Sequence, residues 1–411
     1  MSASSELIKG WCPGALMPMQ SGDGFIVRVR PMVGRLSLEQ FETLAEISAR
    51  FGDGSLYLTN RANVQIRGVS DYGRDAALEL LSAAKLADTD SRVESIRNII
   101  IESAIVPESL IEVAATLAET LEQMLAATPA LHELPSKFGV SIQSGPIIDR
   151  RAISDITFCV QTDCIIMLLE SAFASGVFFD SVEAAAEGFL KTAAAFMRFR
   201  LARPDMRRMR DAVSRLGAEA MAREATLSLA PHGLTVCEAL APIGERGEAF
   251  GIAFLFGELK QAAAREIVTF MRRQKIQYAA VSAHRALVFR VEAQQKAELR
   301  NLAAEIEGIT DPSDIRLRIH ACAGAPSCLR AAVEARRDAQ SVLEALRGVS
   351  SFAGHIHISA CEKRCAYSGA AAITAIGNVS GGYDIFCSAL HRKNVRPVEL
   401  PGIVAALARA S

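Results

Sequence analysis

The chain has 411 residues, half of them hydrophobic and 22% charged, and a formal net charge of −1. That balance excludes bulk attraction to nucleic acid or to an anionic membrane, and no apolar run approaches the ~20 residues that span a bilayer. The length allows two to four units, each with its own core. The opening MSASSELIKGWCPG has no basic segment followed by an apolar one. No signal peptide is therefore expected, and an odd cysteine count fits a reducing compartment, the cytoplasm.

In chain order, FIVRVR at 25–30 reads as a strand. From Gly34 the chain runs GRLSLEQFETLAEISARFGDGSLYLTNRANVQIRGV, and from Gly257 GELKQAAAREIVTFMRRQKIQYAAVSAHRALVFRV. Both stretches read as a turn, an amphipathic helix of about 15 residues and an alternating strand pair. Each carries an Arg-Ala step at the hinge, Arg61-Ala62 and Arg285-Ala286, 27 and 28 residues after its glycine. A duplication is expected; the alternative is two unrelated stretches with one common pattern. Between the copies, 107–127 reads as a helix with Pro107 in its first turn. Strands are expected at 137–143 and 155–169, and helices at 182–200 and 206–224 on either side of Pro204. The Pro- and Gly-rich 227–247 reads as a crossing. Four units follow, at 1–74, 75–240, 241–300 and 301–411.

The last unit holds four cysteines in 44 residues, Cys322, Cys328, Cys361 and Cys365, spaced C-x5-C and C-x3-C. Even spacing of all nine would put about one there. Thiolates are soft ligands, and four complete one [4Fe–4S] cube. Zinc knuckles prefer tighter spacing on both sides, and free buried thiols are the remaining alternative. Cys12, Cys159, Cys164, Cys237 and Cys387 have no metal-like spacing.

Several cations fall in strand-like segments. Arg28 and Arg30 share one face, as do Arg61, Asn63, Gln65 and Arg67. Arg97-Asn98 precedes an apolar run, and Lys137 begins a strand. Arginine forks and a lysine on a sheet would grip a polycarboxylated ligand, although a solvated face is the commoner use. The run 203–215, RPDMRRMRDAVSR, could touch ligand carboxylates or an electron-donor protein, although a solvated helix face is the commoner use. His320, His355 and His357 lie near the cysteines. They are read as structural, with chelation as the alternative.

These segments together resemble the sirohaem-dependent sulfite and nitrite reductase superfamily. LYLTNRANVQIRGV resembles its strand whose arginine contacts a tetrapyrrole, here Arg61. FIVRVRP gives Arg28, SIRNIIIES gives Arg97 and Asn98, ELPSKFG gives Lys137, and the four cysteines match the cluster pattern in order. The resemblance implies an α+β, pseudo-twofold fold with two ferredoxin-like half-domains and two larger α/β domains. Two departures matter. The second lysine that the reductases place after Lys137 is Gly139 here, and the loop CEKRC carries Glu362 and Arg364 and continues Ala366-Tyr367. Losing one of two cations on a small oxyanion should weaken its reduction severely.

WCPGALMPMQSGDGFIVRVRP, LPSKFG and ACEKRCA instead resemble the precorrin-3B synthase branch. That resemblance implies an oxygen-dependent monooxygenase of aerobic cobalamin biosynthesis. It hydroxylates precorrin-3A at C20 and closes a γ-lactone to give precorrin-3B. Arg28, Arg61, Arg97, Asn98 and Lys137 would bind the substrate, and the four cysteines a [4Fe–4S] cluster. NADH would be the ultimate donor; no Gly-rich dinucleotide fingerprint follows a strand, so a separate electron-donor protein is expected. A cluster with four cysteine ligands binds dioxygen poorly, which makes a mononuclear non-haem iron a candidate second centre. The catalytic acid and base are not legible. The rival readings are a sirohaem-dependent assimilatory sulfite or nitrite reductase and a non-catalytic tetrapyrrole or cluster carrier.

Overall fold

Residues 11–102, 106–238, 241–349, 352–367, 369–388 and 390–410 are described by a computed structural model. The first ten residues, on which part of the signal-peptide reading rests, lie outside them. In the first repeat the strand Gly24–Val29 leads into a 3-10 turn, Met32–Gly34, where Val33 and Gly34 take positive φ (54° and 65°). A short strand, Arg35–Ser37, follows, and then the helix Leu38–Phe51. Ser37 starts that helix in a capping box with Gln40, which satisfies two otherwise orphaned amides. The strands Ser55–Leu58 and Val64–Val69 close the unit.

The second repeat copies each step. Ala249–Ala253 leads into the turn Leu255–Gly257, with Phe256 and Gly257 at φ 57° and 74°. The strand Glu258–Lys260, the helix Gln261–Gln274 and the strands Tyr278–Ser282 and Ala286–Arg290 follow. At the hinge, Ala62 N donates to Thr59 O in one copy and Arg285 N to Ser282 O in the other. The residue at positive φ is Ala62 (52°) in the first and Arg285 (58°) in the second. Arg61 is therefore matched by His284, and the Arg-Ala steps of the sequence are one residue out of register.

The copies exchange their short strands. Arg35–Ser37 pairs with Tyr278–Ala280 of the second copy, and Glu258–Lys260 pairs with Ser55–Tyr57 of the first. The two helices pack together, and one core draws Phe41, Leu44 and Ile66 from one copy and Ile267, Phe270 and Leu287 from the other. Two larger sheets flank this centre. The first runs Ile99–Glu102, Val140–Ser144 and Ile156–Val160 in parallel, then Ile165–Leu169 and Ala172–Phe179 antiparallel. The second repeats that order with Ile319–Ala321, Ile356–Ser359, Ile373–Gly377, Tyr383–Cys387 and Leu390–Val395. The duplication thus reaches both larger lobes.

Local differences from expectation have simple causes. The helix expected at 206–224 breaks at Gly217 (φ 85°) into Met209–Leu216 and Ala218–Glu224. The 155–169 segment is a hairpin, Ile156–Val160 with Ile165–Leu169. Pro107 caps Glu108–Ala127 from outside, where its missing N–H costs nothing. Among the described residues no helix is long and apolar enough to cross a membrane.

Leu36 and Leu259, the centres of the exchanged strands, are both 0% exposed. Leu36→Ala and Leu259→Ala should each cost ~2–5 kcal/mol in urea unfolding. A loss under ~1 kcal/mol at either site would show that the exchange does not hold the halves.

Candidate functional site

The strands Ile319–Ala321 and Ile356–Ser359 are parallel neighbours, so the loops that leave them start from one sheet edge. Cys322 follows the first strand directly and Cys361 follows the second after one residue. Ala360 N donates to Cys322 Sγ at 3.2 Å. A hydrogen bond with Cys365, together with the Ala360 and Gly324 amides, draws the Cys322 thiol down to about 6, and the same pairing and burial push Cys365 up. Burial also pushes Cys361 up, with the Cys322 and Cys328 thiols acting in the same direction. Among the described residues no three His, Cys, Asp or Glu side chains close on one point as a single ion requires. The four thiols are electrostatic neighbours, and a cube spreads its ligands wider than an ion does. The donor set therefore fits a [4Fe–4S] cluster.

Each half-domain fixes one of these loops. Ser327 O, beside Cys328, accepts from Ser21 Oγ (2.5 Å), Gly22 N (3.2 Å) and Arg67 Nη2 (2.8 Å) of the first. Ala366 O, beside Cys365, accepts from Arg285 Nη2 (2.7 Å) of the second.

A cationic group forms on the first half-domain. Arg28 faces Gln65 across the strand pair, and with the amide turned to satisfy both groups its oxygen accepts from Arg28 Nε (3.2 Å) and Nη2 (2.9 Å). The Cys12 thiol lies close enough to favour the charged form of Arg28. Arg30 donates to Asn98 Oδ1 and Pro13 O, while its Nη1 is buried without a partner. Burial lowers the pKa of Arg28. It lowers that of Arg30 to about 10, with repulsion from Arg28 adding, and that of Arg61, with Arg208 adding. Arg28, Arg30 and Arg61 are thus buried near one another, with Glu94 acting on Arg30 and Asp155 on Arg61, and none of the three forms an ion pair among the described residues. Cys12, expected only as a cysteine without metal-like spacing, and Arg208, from the basic run 203–215, lie beside this group. Arg208, expected on a solvated face, turns inward to Asp155 (2.9 Å).

The other expected contacts divide. Arg97 is not free for a ligand: it is bidentate to Asp88 (2.9 Å at the closest), 3.5 Å from Glu122, and donates to Arg30 O. Asn98 is likewise committed, its Nδ2 facing Ser95 O, Ser136 O and Phe138 O at 3.1 Å each. In this structure both hold the scaffold, Arg97 through Asp88 and Glu122 and Asn98 through three carbonyls. A guanidinium with the buried Glu122 and the partly buried Asp88 at hand satisfies them before any substrate. Arg67 serves Asp23 and the Cys328 loop. Lys137 is exposed on the loop that Asn98 anchors and stays available. At Gly139 a Cβ would lie 3.2 Å from Asn98 O and 3.4 Å from Ser154 Oγ, and its amide donates to the fully buried Asp155 (2.9 Å).

The histidines form a stacked set. His320 lies on Tyr367 with centroids 4.0 Å apart, and its Nε2 meets His355 Nδ1 at 3.0 Å. Arg151 Nη2 donates to His355 Nε2 at 2.9 Å. A guanidinium can only donate, so His355 carries its proton on Nδ1 and gives it to His320 Nε2. Burial and nearby arginines hold His320 down to about 2 and His357 to about 4. Such surroundings repel a cation.

Residues 17–84 match the nitrite/sulfite reductase ferredoxin-like half domain family. The fold is similar to that of Mycobacterium tuberculosis NirA, with TM-score 0.75 and 17% identity over 93% of this chain and 79% of that one. Two reductases match in part. The ferredoxin–nitrite reductase of Synechococcus elongatus is 29% identical over 29% of this chain and 25% of its own. The sulfite reductase [NADPH] hemoprotein beta-component of Shewanella baltica is 26% identical over 38% and 34%. This chain thus spans about a quarter to a third of those reductases. It has the sulfite/nitrite reductase fold, in an α+β, pseudo-twofold form. Over 395 residues it is also 23% identical to the precorrin-3B synthase of Sinorhizobium sp, across 92% of this chain and 82% of that protein. The chain is a homologue of that enzyme, and its relatives are oxidoreductases.

The two kinds of cation should separate by stability. Arg97→Ala, which strands buried carboxylates, should cost ~3–5 kcal/mol, whereas Lys137→Ala should stay within ~0.5 kcal/mol in the same chemical unfolding assay.

Proposed function

We propose that this protein is an oxygen-dependent monooxygenase that converts precorrin-3A to precorrin-3B, by hydroxylation at C20 and closure of a γ-lactone. The observation that carries this reading is that Arg28, Arg30 and Arg61 are buried near one another and none of them forms an ion pair among the described residues. A tetrapyrrole with several carboxylate arms supplies the missing negative charge, and bidentate forks fix its orientation. Arg28 and Arg61 take carboxylates, Lys137 adds a point charge at the rim, and Arg30 offers its unpartnered Nη1 from beneath. The near full-length similarity to a precorrin-3B synthase supports the substrate class.

Cys322, Cys328, Cys361 and Cys365 would hold a [4Fe–4S] cluster, which supplies one-electron transfer when bound. NADH is the ultimate donor through a separate electron-donor protein, and dioxygen is the co-substrate. The histidines do not fit a mononuclear non-haem iron, because His320 and His355 bond each other and Arg151, Arg285 and Arg364 surround the set. No step is assigned to such a centre.

Reduction of sulfite or nitrite on a bound sirohaem is the competing reading. Gly139 counts against it, since the site lacks the second cation and a side chain there meets the Asn98 carbonyl. Protein purified without oxygen should show cluster absorption, release no tetrapyrrole into acid–acetone, and turn over precorrin-3A only when dioxygen is present. Stoichiometric sirohaem in the extract would overturn the monooxygenase reading. Cys365→Ser should lose both cluster absorption and turnover, and a variant with full absorption would remove Cys365 from the ligand set.

A further inference from the structure

Arg285 stands at the positive-φ position of the turn between Tyr278–Ser282 and Ala286–Arg290, where the first copy has Ala62. Its side chain crosses Gly257. A Cβ there would lie 3.1 Å from Arg285 Cδ and 2.3 Å from Leu58 O, so the bare glycine clears the path. The guanidinium reaches the cysteine loop and donates to Ala366 O. Among the described residues no carboxylate forms an ion pair with it, and its charged neighbours are the Cys365 thiol and Arg336. Burial, with Arg336 adding and Cys365 opposing, lowers its pKa to about 10.

Arg336 approaches the same thiols from the helix Ala335–Ala345. It donates to Glu258 (3.0 Å), lies over the Tyr57 ring (4.7 Å to the centroid), and helps draw down the Cys322 thiol. Its Nε is buried without a partner. A desolvated guanidinium beside a second one is costly unless an anion balances it. Glu258 balances Arg336, and for Arg285 the candidate anions are the cysteine thiolates.

We propose that Arg285, seconded by Arg336, is the built-in counter-ion of the four-thiolate centre and holds its reduction potential up. This rests on the reading that the four cysteines carry a [4Fe–4S] cluster. Reduction adds one negative charge to the centre, so a fixed cation in a poorly screened position stabilises the reduced form more than the oxidised one. The bond to Ala366 O keeps the charge at the loop. Arg285 acts through the centre and is not assigned contact with substrate.

The test is a redox titration of the intact protein, purified without oxygen and followed by electron paramagnetic resonance. Arg285→Gln should shift the reduction equilibrium at least tenfold towards the oxidised cluster, which is 59 mV for a one-electron couple. Arg285→Lys keeps the charge and should stay within about threefold of the parent. Arg336→Gln should shift the same way by less, and it carries the test if Arg285→Gln does not fold. Unchanged potentials in both glutamine variants, with the cluster intact, would overturn the proposal. So would an equal shift in Arg285→Lys and Arg285→Gln, which would assign the effect to the hydrogen bond instead of the charge. A parent protein that holds no cluster even after reconstitution would overturn the underlying cluster reading, and that result is visible before any variant is made.

Discussion

The exchange of short strands between the two half-domains is the constraint on which the site depends. Leu36 sits in the sheet of the second copy and Leu259 in the sheet of the first, so neither sheet is complete alone. With both helices packed into one core, the turns of the two copies are fixed relative to each other. One of them, Ser282 to Arg285, touches both large lobes. Ser282 and Ala283 bond Glu102, and His284 meets Asp149 at 2.5 Å in the first lobe. Arg285 bonds Ala366 in the second. The lobes are thus held from the centre, and the cysteine loops inherit their position from it.

The two lobes share a plan and differ in chemistry. Cys322 lies three residues beyond Ile319, and Glu102 lies three beyond Ile99, its counterpart in strand register. Cys365 lies nine beyond Ile356, and Asp149 nine beyond Val140. Thiols on one side are answered by carboxylates on the other. The carboxylates take their donors from the protein itself, whereas the thiols face Arg336, which Glu258 pairs, and Arg285, which no carboxylate pairs among the described residues. The same backbone can therefore be locked on one side and open to an inorganic centre on the other.

Much of this was legible in the sequence because it rests on period and spacing. The repeat from Gly34 and Gly257 shows in its alternation, and the cysteine pairs stand out by density. Arg28 and Gln65 meet on one sheet face because strand side chains alternate, whereas Arg61 lies in the hinge turn. What stayed hidden depends on partners far along the chain. Nothing local to Arg97 and Asn98 says that Asp88, Glu122 and three carbonyls claim them. Arg208 sits in a run that looks solvated, and only Asp155, packed beneath it, turns it inward. The Arg-Ala match misled by one residue because composition at a hinge is weaker evidence than its left-handed backbone position.

The exchanged strands also bear on how the chain reaches its fold. Leu36 has to find Ala279, and Leu56 has to find Leu259, across much of the polypeptide. Closing such long loops precedes any reward from the pairs they make, which favours slow, late assembly. During synthesis the first copy emerges with a bare sheet edge, an open template for wrong pairing until the second copy arrives. The cysteine loops, emerging after both copies and docking on them, are then set only when the centre has closed.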